Sequence, residues 1–482
     1  MTLFSVGIKI KKLGKNMSVK HLSPRLSVCG ASADKAEVWN RVAHTLGTST
    51  RSSRIANRFF GEGEGPADVS IPLVEKNHCF EVSPNCKSCP LMHHCSFFTN
   101  SIDSHSNGPT VADLFSGAGG LGLGFEQSGF QSKLSIDKDE WAIYTHAYNH
   151  PRHSSKSVCA DISEWLKQPS NHVDVDVLMG GPPCQSFSNA NKQRQEDDSR
   201  DGLYKLFVDS IPLFNPKVIL IENVRGFERV VPELRKLVEA KGFETSVLKL
   251  NARDFGVPQN RVRIFTLGVN TLHFGKAESE KVLKRINERV EASKQNEKPL
   301  IAAIGDLNKL VASTMRNNTA YESNETGHSI QSGLGFESDY VKEINLNDTS
   351  LIIFNHKARF NNDRDIEIFS RLKPGEDSTA PSIQDINPYK NRNGIFKDKY
   401  FKLKPNVPCK TITAHMRLDC NMYIHPTQAR GLTVREAARV QGFPDNYVFC
   451  GTLQAMYRQV GNAVPPPLAK VLASAIHSEV SK

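Results

Sequence analysis

Thr110-Val111-Ala112-Asp113-Leu114-Phe115-Ser116-Gly117-Ala118-Gly119-Gly120-Leu121-Gly122 joins a short apolar run to a glycine-rich turn. The run reads as a buried strand, Thr110–Phe115. The glycines let the chain turn sharply and bring its backbone close to a ligand. Gly117, Gly119 and Gly122 satisfy the G-x-G-x-x-G spacing. Alone, that spacing is compatible with a bare tight turn. Asp137 ends the next predicted strand, Gln131–Asp137, about twenty residues on, where an acid can accept hydrogen bonds from a ribose diol. Together they point to an adenosine-containing cofactor, leaving open whether it is a dinucleotide or S-adenosylmethionine.

Further along, Asp174–Met179, Val218–Glu222, Glu244–Asn251 and Arg263–Gly268 read as strands alternating with helical stretches. The alternation predicts an α/β fold with a doubly wound, mostly parallel sheet. Residues 1–105 are basic and irregular, and Ser101–Pro109 reads as a linker. Residues 110–269 form the first part of the α/β domain. Residues 270–405 read as a smaller inserted domain that opens with a charged surface helix, Lys276–Lys298. Residues 406–482 return to the main domain with helices at Leu432–Gln441 and Ala455–Ile476, the latter interrupted by prolines.

Ligands of open α/β sheets lie at the carboxyl ends of the strands. At one such end stands Gly180-Gly181-Pro182-Pro183-Cys184-Gln185-Ser186-Phe187-Ser188. The two prolines fix two φ angles and remove two donors, so a stiff turn presents the Cys184 thiol, a candidate nucleophile. Glu222 ends another predicted strand. Gln259, Arg261 and Arg263 alternate at the start of the last one and fall on one face.

The formal net charge of +10 suits a polyanionic partner. A charged share of 23% and a hydrophobic share of 39% are ordinary for a soluble globular protein. No apolar run is long enough to span a bilayer, and the basic start lacks the apolar core of a secretory signal. A reducing compartment is therefore expected, with the ten cysteines acting as metal ligands, a nucleophile or core residues rather than disulfides.

In this order the motifs resemble the DNA (cytosine-5)-methyltransferase family. They are Asp113–Gly120, Gly181–Ser188, Glu222-Asn223-Val224, Gln259-x-Arg261-x-Arg263, Val434–Arg439 with Gln441–Pro444, and Gln459–Pro465. The resemblance covers about 110–478. It implies a Rossmann-like S-adenosylmethionine-dependent methyltransferase domain, with 270–405 as target-recognition domain. It makes Cys184 the nucleophile toward carbon 6 of a flipped-out cytosine. Glu222 would hold ring nitrogen 3, and Arg263, supported by Arg261, the O2 side. Cofactor contacts would fall at Phe115, Gly117, Gly119, Asp137, Asp161, Pro183 and Asn462. Double-stranded DNA is the implied partner, with a genetic rather than physical link to a restriction endonuclease. A monomeric, cytoplasmic, nucleoid-associated prokaryotic enzyme without membrane contact is expected. A transfer-RNA cytosine-5 methyltransferase on the same scaffold is the alternative. A nicotinamide-dependent oxidoreductase would leave Cys184, Glu222 and Arg263 unexplained, and a non-catalytic DNA-binding module would leave Cys184 and Glu222 so.

Cys79-x6-Cys86-x2-Cys89-x5-Cys95 is a separate signal. Four thiolates this close can surround one metal centre. The full spacing, with Cys89-Pro90-Leu91, resembles the iron–sulfur loop of endonuclease III-type DNA glycosylases, which implies a [4Fe–4S] cluster. Zinc is the alternative. The glycosylase's own catalytic hairpin is not visible, so an accessory N-terminal module is expected.

Overall fold

The computed structural model describes residues 108–150, 157–168, 172–183, 202–316, 321–332, 338–345, 352–392 and 399–481. These form two compact units. The first runs to Glu297 and resumes at Ala463; the second runs from Lys298 to Asn462.

The first unit is built on a seven-stranded sheet. In chain order its elements are β1 (Thr110–Leu114), α1 (Gly120–Gln127), β2 (Gln131–Asp137), α2 (Glu140–Asn149), β3 (Ser157–Cys159), β4 (Val177–Gly180), α3 (Leu203–Phe214), β5 (Val218–Val224), α4 (Val231–Glu239), β6 (Phe243–Asn251), β7 (Val262–Asn270) and α5 (Lys276–Ala292). The strands lie in the order β3-β2-β1-β4-β5-β7-β6. The order reverses between β1 and β4, the switch point at which such sheets bind ligands.

Strands covered on both faces are apolar at most positions, and here alternate residues serve opposite layers. Val177 and Met179 of β4, with Val218 and Leu220 of β5, pack with Leu121 and Phe125 of α1 and Val282 and Ile286 of α5. Ala112, Leu114, Leu178, Ile219 and Ile221 pack with Phe207 and Ile211 of α3 and Leu234 and Val238 of α4.

The mostly parallel sheet is modified at one edge. β7 runs antiparallel to both β5 and β6. The segment Ala252–Arg261 that joins β6 to β7 is too short for the crossover that parallel strands require. An all-parallel dinucleotide-binding sheet of order 3-2-1-4-5-6 has no such strand.

The division between the units also falls elsewhere than at 269/270 and 405/406. Helix α5, read from its charge as a surface helix of the inserted domain, carries Val282, Leu283, Ile286 and Val290 at helical spacing. That stripe is buried in the core of the sheet unit, and a polar opposite face is what an amphipathic helix shows. The predicted helix Ala455–Ile476 is two helices, of which only the later one, Pro466–Val480, belongs to the first unit. Prolines are tolerated in the first turn of a helix but break one before it.

The second unit contains β8 (Gly327–Ser332) paired antiparallel with β9 (Ile352–Lys357), then α6 (Asp363–Arg371), α7 (Val434–Val440) and α8 (Leu453–Asn462). Numbering continues with α9 (Pro466–Val480) of the first unit. One core of the second unit gathers Ile368, Phe369 and Leu372 around Tyr400 and Ile424. No helix among the described residues is long and apolar enough to cross a membrane.

A glycine is required at the end of β4. A Cβ on Gly180 would stand 2.2 Å from the Leu114 carbonyl oxygen on β1. The obstacle is backbone of a central strand, so Gly180→Ala is expected to destabilise the chain by roughly 1–3 kcal/mol, read as a lower urea midpoint.

Candidate active site

Register brings the candidate residues to one edge of the sheet. Leu114 pairs with Ile136 and with Gly180, and Gly180 with Ile221, so β1, β2, β4 and β5 all reach the same edge, with β5 running on to Val224. Because β7 is antiparallel, its amino-terminal end arrives at that edge: Arg263 pairs with Val224 and Phe265 with Glu222.

The turn after β1 is strained and open. Phe115 has φ 64°, Gly117 φ 55° and Gly119 φ 88°. A left-handed aromatic residue costs of order 1–3 kcal/mol and is typical of ligand clamps. A Cβ placed on Gly117 would meet nothing within 4 Å, so the turn borders open space. Asp137 fixes it: one carboxylate oxygen accepts from Gly117 N–H at 2.8 Å, the other from Asp139 N–H at 2.8 Å. Burial raises the Asp137 pKa from the ordinary carboxylate value, while those backbone donors oppose the rise. Asp161 lies just beyond β3, whose Cys159 pairs with Asp137. It caps Ile162–Trp165 by accepting from Ser163 N at 2.9 Å and Ser163 Oγ at 2.7 Å, and the serine bond leads in lowering its pKa.

Asp113 opens the glycine-turn motif, which by itself assigns it no role. In the structure it is buried, and neither carboxyl oxygen has a hydrogen-bond partner among the described residues. Burial first, then the nearby Asp137 charge, push its pKa well above the ordinary value. A Cβ on Gly122 would lie 3.8 Å from Asp113 Oδ2, which places the acid beneath the first turn of α1.

At β4 and β5 the geometry is tight. Asn223 Nδ2 donates to the Pro182 carbonyl at 3.1 Å, tying the two-proline turn to the end of β5. A Cβ on Gly181 would stand 3.0 Å from Glu222 Oε2. Arg263 Nε lies 2.8 Å from Glu222 Oε1, both side chains being 11% exposed. Burial lowers the Arg263 pKa from its usual value, against the pull of Glu222. Asn223 is a structural partner that its place in a motif did not reveal.

Arg261 and Arg263, predicted to share a face, make different contacts. Arg261 is 1% exposed, its backbone N–H donates to Asn251 Oδ1 at 2.9 Å, and its Nη2 donates to the Ala463 carbonyl at 2.8 Å. It thus holds the segment entering α9, while Arg263 is paired with Glu222. Pro183 is half-buried beside the buried Pro182. Cys184 lies outside the described residues, as do Cys79, Cys86, Cys89 and Cys95. Asn462 ends α8 in the second unit and is exposed. Among the described residues no group of His, Cys, Asp and Glu could hold a metal ion.

Asp137, the acid at the end of β2, suits the ribose diol that S-adenosylmethionine carries, as it would that of a dinucleotide.

A strained glycine turn at the switch point, an antiparallel seventh strand and a Glu–Arg pair at the same edge define an α/β methyltransferase. A family model for C-5 cytosine-specific DNA methylases matches residues 110–478, and the chain belongs to that family; it is a DNA cytosine-5 methyltransferase. Among its relatives is the type II methyltransferase M.DdeI of Desulfomicrobium norvegicum, 31% identical over 392 residues, covering 76% of this chain and 88% of the relative. Another is type II methyltransferase M.AgeI of Thalassovita gelatinovora, 31% identical over 442 residues, covering 77% of this chain and 99% of the relative. A crystal structure of a prophage-encoded DNA modification methyltransferase of E. coli matches with a TM-score of 0.58 and 26% identity, over 78% of this chain and all of that one.

Proposed function

We propose that this chain methylates cytosine within one short duplex sequence through a covalent Cys184 adduct, and so protects DNA from a cognate restriction endonuclease. The observation that carries the reading is the Glu222–Arg263 pair, 2.8 Å apart, facing the turn that leads into Cys184.

The residues divide the work as follows. Carbon 5 of cytosine is a weak nucleophile. The Cys184 thiolate bonds to carbon 6 and makes carbon 5 enamine-like. Glu222 holds a proton at ring nitrogen 3 and removes the charge that would otherwise build there. Arg263 keeps Glu222 in place and donates to the O2 side of the base. S-Adenosylmethionine, when bound, supplies an electrophilic methyl group; Phe115, Gly117, Gly119, Asp137, Asp161, Pro183 and Asn462 are the residues assigned to hold it. Loss of the carbon 5 proton expels the Cys184 thiolate and restores the ring. The base must leave the duplex first, at a cost of a few kcal/mol.

Target recognition is assigned to the second unit, within Lys298–Asn462. Cys79, Cys86, Cys89 and Cys95 are assigned to a [4Fe–4S] cluster of an N-terminal accessory module, with zinc as the other metal their thiolates suit. The test offers labelled S-adenosylmethionine with duplex DNA, the same duplex carrying 5-fluorocytosine, and transfer RNA. Methyl transfer to DNA and a denaturation-resistant protein–DNA adduct on the fluorinated duplex are expected, since carbon 5 then has no proton to lose. Label entering only transfer RNA, or no adduct, overturns the proposal.

A further inference from the structure

We propose that the turn Ala414–Leu418 of the second unit is a preformed reading element, in which Arg417 contacts a base edge beside the target cytosine and sets which sequences are methylated. The inference rests on the function proposed above and goes beyond it by naming a specificity-determining residue.

The turn is pinned from below. Met416 is wholly buried. Arg359 donates through Nη1 to the Met416 carbonyl at 3.1 Å and through Nη2 to the Leu418 carbonyl at 3.1 Å. Its guanidinium also lies 5.5 Å from the centre of the Tyr457 ring on α8. At Gly461, α8 comes so close that a Cβ would stand 2.3 Å from Ala414 N and 2.3 Å from Thr413 C. A backbone clamped at both carbonyls and seated on a helix cannot drift.

What this pinned backbone presents is unused. His415 and Arg417 point into solvent, and Leu418 is 49% exposed. The nearest acid in sequence, Asp419, is paired with Lys399 at 2.6 Å. Arg417 has neither a hydrogen bond nor an ion pair among the described residues. Other arginines of this unit are committed: Arg430 to Glu436, Arg439 to Asp445, Arg371 to Asp385. A planar guanidinium offers a fixed fork of donors, and on a rigid turn it meets a partner without further ordering. The matching partner is the major-groove edge of guanine, with acceptors at O6 and N7. Phosphate needs only charge and tolerates a mobile side chain. A leucine held out beside the fork gains nothing from phosphate, whereas base edges offer the thymine methyl group.

The experiment compares the full-length wild type, Arg417→Ala and Arg417→Lys on a duplex library randomised around cytosine, read by bisulfite sequencing. Arg417 has no partner to lose among the described residues, so Arg417→Ala is expected to remain folded. Its preference for guanine at one position should fall about ten- to a hundredfold, and lysine, a point charge, should not restore it. Uniform weakening on all sequences that Arg417→Lys rescues would mark a phosphate contact and overturn the proposal. An unchanged motif in an active variant overturns it while the proposed function stands. A wild type that methylates no DNA overturns both.

Discussion

Glutamine at Glu222 is expected to lower kcat for methyl transfer by about two to four orders of magnitude, and alanine at Cys184 to remove transfer altogether. The substitution at Glu222 keeps the volume of a side chain packed against Gly181 and can still accept from Arg263. It removes the charge and the proton-holding group. If Glu222 served only to balance Arg263, the variant would lose stability and retain rate, since a buried cation without its counter-ion is costly. If it also holds nitrogen 3, the rate falls far more than any loss of folded protein explains. Rapid-quench single turnover on duplex DNA, normalised to folded enzyme by near-ultraviolet circular dichroism, separates the two. A folded Glu222→Gln whose single-turnover rate stays within about threefold of wild type would remove Glu222 from the chemistry. Arg263→Ala should weaken the same step less, because it leaves the carboxyl group and removes only its brace. Cys184→Ala should still bind DNA, which distinguishes lost chemistry from lost binding.

How legible this site was depended on the kind of residue. Val111, Val177 and the Val218–Ile221 run announced central strands because burial on two faces leaves few polar positions. The three-residue β3 carries too short a pattern to stand out. Strand direction is not written in a strand's own residues, and it became apparent for β7 only from the shortness of Ala252–Arg261. That one fact decides how Arg263 reaches Glu222. The contacts of Arg261 and Arg263 could not be told apart by alternation, since one of them goes to the Ala463 carbonyl, far away in sequence. Asp113 has the same history: its motif was visible, but its lack of a hydrogen-bond partner among the described residues is a fact of packing. In the second unit, Arg435 is fully buried because its guanidinium meets the carbonyls of Phe354, Pro444 and Tyr447 at 2.6, 2.6 and 2.5 Å. The burial of a charged helix covered in this way is set by partners far away in sequence.

Those buried charges, with two buried histidines beside them, are expected to make the second unit's stability fall in acid. Glu436, in a capping box with Thr433 at the start of α7, accepts both terminal nitrogens of Arg430 at 2.7 and 2.6 Å. His356 is enclosed between Thr433 Oγ1 and the Asn308 carbonyl, each 3.0 Å away. His425 lies 3.5 Å from Glu436 Oε1. Burial lowers both imidazoles from 6.5 to about 4, with Arg430 adding to the effect and Glu436 opposing it. Groups with depressed pKa values keep their protons off in the native state and bind them in the unfolded chain. Their stabilisation is therefore complete above the unfolded value of about 6.5 and is lost as pH falls toward about 4. The shift corresponds to roughly 3 kcal/mol for each ring, less than additive because the two rings influence each other. Glu436, also held low despite its burial by the Arg430 charge and hydrogen bonds, adds its own loss in the acid range. Urea midpoints are expected to fall between about pH 6.5 and 4.5, and to fall less steeply in His356→Gln. The substitution lowers stability at neutral pH by removing two hydrogen bonds, so the slope against pH, not the midpoint, is the measurement that decides. A wild type whose stability is flat across that window, or a His356→Gln slope equal to wild type, would show that this ring does not keep its proton off in the folded state.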